Sequence, residues 1–119
     1  MKDFTQLTVW QKSHALSLEV YRTTSRFPKE ELYALTSQMR RAASSIGANI
    51  AEGCCRDGDA EFARFLYIAM GSASELQNHT FLARDLGFLS ATTTETALGQ
   101  ITEVKRMLAA LIRKLKADR

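Results

Sequence analysis

The stretch from Gln38 to Gly53, QMRRAASSIGANIAEG, constrains the fold of this chain more than any other. Met39, Ala42, Ile46, Asn49 and Gly53 recur at spacings of three and four, which makes one seam of an α-helix. The residues in and beside that seam are small: Ala42, Ala43, Ser44, Ser45, Gly47, Ala48 and Ala51. Small side chains let another helix approach closely, so this helix is expected to be covered on more than one face. Asn49 sits in the seam itself, and Glu52 follows one turn later. A polar group in such a place costs stability unless it is hydrogen-bonded. Such groups commonly fix register or partner choice.

A second stretch matches the first. Ile68 to Leu76, IAMGSASEL, is also helical and small, with Ala69, Gly71, Ser72 and Ala73, then Glu75. The two helices are expected to pack face to face. Ser45, Asn49, Glu52, Ser72, Ser74 and Glu75 would supply a polar network near the contact, with Gln38, Arg40 and Arg41 as donors. At least one of the two arginines is expected to pair with Glu52 or Glu75, within a subunit or across an interface. The network reads as structural rather than catalytic, because it holds no strong nucleophile and no His lies within a turn of the first stretch.

With 119 residues the chain is one domain, residues 1–119, large enough to bury about two-thirds of its unfolded surface. No apolar run approaches the roughly 18 residues of a membrane span. The start, MKDFTQLTVW, lacks a signal-peptide core, so a cytoplasmic protein without membrane contact is expected. Cys54 and Cys55 are adjacent, which suits neither an ordinary disulfide nor a zinc site with spaced ligands. The net charge is +3, and it is unevenly placed. From Thr96 onward Lys105, Arg106, Arg113, Lys114, Lys116 and Arg119 face only Glu103 and Asp118.

Read in order, the chain predicts four helices, over about residues 8–26, 29–52, 59–86 and 94–117. Thr8 is placed to cap the first. Pro28 ends that helix, because the residue before a proline is pushed out of the helical region, and opens the second. Gly53 suits the residue after the second helix, where a left-handed conformation is needed. Gly58 or Asp57 caps the third, with Glu61 at the position that closes a capping box. The third helix spans roughly 40 Å, and Gly87 ends it. In the fourth, Leu98, Ile101, Val104, Leu108, Leu111, Ile112 and Leu115 give nearly three heptads. Four amphipathic helices with short connections imply an all-α, antiparallel, up-down-up-down four-helix bundle. The spare small-residue surface predicts a homo-oligomer.

The segments DFTQLTVWQKSHAL, VYRTTSRFP, QMRRAASSIGANIAEG, EFARFLYIAMGSASEL and ITEVKRMLAALIRKL together resemble bacterial four-helix-bundle proteins related to the intervening-sequence protein of the large ribosomal RNA gene. The matching signature is Gln38, Arg40, Arg41, Ser45, Ile46, Asn49, Ile50, Ala51, Glu52 and Gly53, then Glu61, Phe62, Gly71, Ser72 and Glu75. Gly58 departs from it, standing where relatives usually have a serine cap. The resemblance implies a ring-shaped homopentamer. It also implies a distant kinship with the accessory protein of diversity-generating retroelements, a basic pentamer that contacts a reverse transcriptase and nucleic acid. It implies no catalytic residues.

An enzyme is not expected. His79 follows Glu75 by four residues rather than the three of a di-iron Glu-x-x-His pair, and His14 has no such partner. No phosphate-binding glycine loop or Gly-x-Ser-x-Gly turn is present, and no cofactor or metal is expected. Binding is the stronger reading. Lys105, Arg106, Arg113 and Lys114 would line the outer side of the fourth helix and, repeated around a ring, form a basic belt for RNA or DNA backbones. The alternative is a protein-interaction scaffold whose partner is another protein.

Overall fold

The computed structural model describes residues 3–117. Four helices carry the fold: α1 (Thr8–Thr24), α2 (Leu35–Cys55), α3 (Asp59–Asp85) and α4 (Ala91–Ala117). Contacts between neighbours fix their directions. Trp10 lies against Gly47 while Arg40 reaches Thr24 and Tyr21, so α1 and α2 run antiparallel. Ser45 meets Ser72 and Gly53 meets Phe65, which sets α2 antiparallel to α3. Tyr67 meets Lys116 and Gln77 meets Lys105, which does the same for α3 and α4. The up-down-up-down bundle measures 46 × 23 × 20 Å, and no strand is present among the described residues.

The core is a column of aliphatic side chains, with Leu16, Ile46, Ile50, Leu66, Leu76, Ile101, Val104 and Leu108 fully enclosed. Between α2 and α3 it narrows to Ala42, Ala43, Ala69 and Ala73, also enclosed. That pair shares the most extensive contact in the bundle, whereas α1 and α4 touch only lightly. The buried hydroxyls answer to their own helices. Ser13, Thr24, Thr80 and Thr94 donate to the carbonyls of Val9, Val20, Leu76 and Ser90 at 2.7, 2.6, 2.8 and 2.8 Å, so each of these four is paired within its own segment.

The helix ends depart from expectation in four places. Thr8 is the first residue of α1 rather than its cap; Asp3 instead caps a 3-10 turn, Phe4–Gln6, that feeds into α1 through an extended Leu7. The Thr5 hydroxyl bonded to Asp3 also holds that carboxyl below its usual range. The second helix does not start at Lys29. Lys29–Glu31 form a 3-10 turn, Ala34 breaks the path, and α2 opens at Leu35, whose N–H is taken by the Glu31 carboxylate at 3.3 Å. Gly53 does not end α2 but lies inside it, buried. A Cβ there would come within 2.7 Å of Phe65 Cβ and 3.3 Å of the Phe62 carbonyl, so close approach of α3 is what requires a glycine. Lastly, α4 starts three residues early, because Ser90 is a proper cap: its Oγ accepts the Thr93 N–H at 3.1 Å.

Two turns behave as read. Gly87, at φ +82°, closes α3 with Phe88 N–H donating to Ala83 and Gly87 N–H to Arg84, the Schellman pattern. Gly58, at φ +87°, precedes α3 without a side-chain cap. Glu61 pairs with Arg64 rather than closing a capping box.

The two kinds of helical glycine should separate in a denaturation experiment. Gly53→Ala forces α2 off α3 and should cost about 1–3 kcal/mol. Gly99→Ala, where a Cβ meets nothing within 4 Å, should stabilise by roughly 0.5–1 kcal/mol. Equal effects in urea unfolding would contradict the close contact.

Candidate interaction surfaces

The expected polar network exists in reduced form. The hydroxyls of Ser45 and Ser72 lie 2.8 Å apart across the α2–α3 seam. Asn49 Nδ2 donates to the Ser45 carbonyl (2.8 Å) and to Ser45 Oγ (3.0 Å). Ser45 Oγ thus joins Asn49 to Ser72, and either serine hydroxyl can be the donor between them. The other residues expected in the network stand outside it. Glu52 pairs with Arg56 one turn on at the surface, and exposed Glu75 with His79, whose ring is largely buried. Ser74, Gln38 and Arg41 are exposed.

Neither arginine pairs with Glu52 or Glu75 within the chain. Arg41 and Glu52 are separated by about 16 Å along one helix, too far for two side chains to bridge. Arg40 turns the other way, onto α1. Its Nε donates to Thr24 Oγ1 at 2.9 Å and its guanidinium sits 4.7 Å from the centre of the Tyr21 ring. It ties the top of α1 to α2.

A groove of about 420 Å³ runs between α1 and α2. Its α1 wall is aromatic and aliphatic, with Trp10, Leu18 and Tyr21; its α2 floor is small, with Ser44, Gly47, Ala48 and Ala51. The Trp10 indole settles on α2 at Gly47, where an added Cβ would make ordinary contact, 3.4 Å from Nε1. Phe4 meets that indole edge-on at 5.3 Å and His14 stacks on it at 4.8 Å. Large apolar residues also stand exposed on α3, Ile68 in its first half and Leu82 and Leu86 at its end, with Glu75 between them on the same face.

The four basic residues expected to form one outer stripe divide between faces. Arg106 is widely exposed, 4.0 Å from Glu103, and Arg113 shares its face two turns on; Lys114 is exposed as well. Glu103 also takes Lys12 of α1, at 3.5 Å. Lys105 instead lies half-buried against α3, donating to Gln77 Oε1 at 3.0 Å. Lys116, which sequence reasoning counted only in the total, joins that side: its Nζ donates to Tyr67 OH at 2.8 Å. Three turns separate Lys105 from Lys116, so the helical period alone could have placed them together. Arg56 and Arg64 both cover the Phe65 ring. The hydrogen bond to Arg64 draws the Glu61 carboxyl below its usual range.

Elsewhere the chemistry is sparse. His14 is engaged with Trp10, and His79 Nε2 lies 3.3 Å from Glu75. Cys54 is buried and Cys55 exposed at the end of α2. Among the described residues no three His, Cys, Asp or Glu side chains converge as a metal site, and no helix is long and apolar enough to cross a membrane.

Helix order, short connections and antiparallel packing define a small four-helix-bundle protein. The chain belongs to the 23S rRNA-intervening sequence protein family, whose profile matches residues 5–110. A solved structure of a protein of unknown function from the S23 ribosomal protein family of Bacteroides thetaiotaomicron shares the fold. It has a TM-score of 0.80 and 24% identity, over 88% of this chain and 98% of that one. No curated protein matches the chain.

Arg40 is the arginine the monomer depends on. Arg40→Ala should lower unfolding free energy by about 1–2 kcal/mol, the combined loss of a hydrogen bond and a cation–π contact. Glu52→Gln, which removes only a surface pair, should change it by less than about 0.5 kcal/mol. The reverse order in urea titrations would put the network back at Glu52.

Proposed function

We propose that the protein is a non-catalytic, self-assembling bundle that holds nucleic-acid backbones on the basic face of α4. The observation that carries this reading is the run from Lys105 to Lys116, which has five cations and no carboxylate. Neutralising phosphates with such a face releases counterions, and the binding it supports is indifferent to sequence.

Assembly has its own support. One chain carries both a groove with a small floor, between α1 and α2, and an exposed apolar end on α3, at Leu82 and Leu86. That end of one copy laid in the groove of the next is a heterologous contact, which repeats head to tail and closes into a ring. The family resemblance makes five the expected number, a homopentamer. Around such a ring the α4 cations form a belt. The competing reading is a protein-interaction scaffold, which needs the same ring but no nucleic acid.

The test is a salt titration of binding to single-stranded RNA and duplex DNA, alongside a variant with Lys105, Arg106, Arg113 and Lys114 all changed to Glu. With about four phosphates contacted, wild-type affinity for duplex should fall on the order of a hundredfold between about 50 and about 200 mM salt. The variant should keep its native mass and lose binding. A wild type that binds neither nucleic acid at low salt refutes the reading and leaves the scaffold.

A further inference from the structure

The two lysines turned away from the outer face of α4 define a second surface. Lys105 on Gln77 and Lys116 on Tyr67 bridge the interhelical groove between α3 and α4 at two points, about 16 Å apart by helical rise. The groove is predominantly basic. The facing stretch of α3, Tyr67 to Gln77, has a single acid, Glu75, and His79 Nε2 lies 3.3 Å from it on α3's own surface. Glu103, the nearest acid on α4, is drawn toward α1 by Lys12.

The groove also presents an aromatic ring. Tyr67 is 50% exposed, although burying it would be favourable. Lys116 holds it in place, with Nζ bonded to its hydroxyl and 5.2 Å from the ring centre. Beyond it Gly71 offers no side chain, and a Cβ there would meet nothing within 4 Å. A fixed, half-exposed ring flanked by cations suits a base stacked on the ring with its phosphates on the lysines. Duplex DNA keeps its base faces covered and cannot use the ring.

We propose that the α3–α4 groove seats a single-stranded nucleic acid, one base stacking on Tyr67 and the adjoining phosphates lying along Lys105 and Lys116. This rests on the reading of the protein as a nucleic-acid binder and adds which strand form it takes and where.

The experiment measures binding of a labelled oligouridylate and a duplex DNA of equal length to wild type, Tyr67→Ala, Tyr67→Phe and Lys116→Gln, each checked for helix content and native mass. Tyr67→Ala should weaken the single strand about tenfold or more and leave duplex within about twofold. Tyr67→Phe should retain single-strand binding within about threefold, because the ring remains. Lys116→Gln should lower the salt dependence for the single strand by about one phosphate; this variant carries the test if Tyr67→Ala fails to fold. A wild type that binds both forms while these substitutions change neither selectively overturns the groove and spares the basic belt. A wild type that binds nothing at low salt overturns both.

Discussion

The bundle depends on the close approach of α2 and α3. At the middle of their contact the side chains narrow to Ala42, Ala43, Ala69 and Ala73, and the Ser45 and Ser72 hydroxyls touch at 2.8 Å. Dispersion and burial there act between backbones as much as between side chains, and interiors packed this tightly resist any added volume. Gly53 shows how tight the fit is, with Phe65 Cβ already occupying the place a methyl group would take. The larger aliphatic residues of α1 and α4 then pack on this inner pair from outside. The light contact between α1 and α4 leaves a small cleft of about 150 Å³ beside Leu16, Val20 and Ala97.

A helix made of small residues has a second consequence. It cannot cover its own far side, so α2 must borrow bulk from α1. Trp10 does this at Gly47, and Tyr21 with Arg40 does it one end further on. Beside those contacts Ser44 and Ala48 stay open, flooring the groove proposed to receive a second copy. The composition that draws α3 close thus also leaves a surface that can receive another helix. Asn49 serves the first contact rather than the second, since its amide is spent on Ser45 within the same helix.

Much of this was legible in the residues. The helix count, the antiparallel order, the α2–α3 seam and the Gly87 turn follow from spacing, because periodicity and left-handed glycine are local properties. The errors have physical causes. Gly53 reads as a helix end in isolation; only the approach of Phe65 from α3 shows it to be an interior contact. Pro28 can open a helix, but the Glu31 carboxylate capping Leu35 N–H competes and delays α2. Arg40 carries equal attraction for any acid, and its choice of Thr24 and Tyr21 was fixed by the register of α1, which spacing does not reveal. Of the candidate site, the total charge of α4 was readable. Its division into an outer face with Arg106 and Arg113 and a groove with Lys105 and Lys116 depended on where α3 lay.

The central claim is that α2 and α3 form the inner pair on which α1 and α4 are assembled. Native-state amide hydrogen exchange tests it most directly, because the slowest amides report the last structure to open. The slowest exchange should fall in residues 42–50 of α2 and 66–73 of α3, ahead of every amide in α1 and α4. If amides of α1 or α4 persist longest, or all four helices exchange at one rate, the α2–α3 contact is not the centre of the fold.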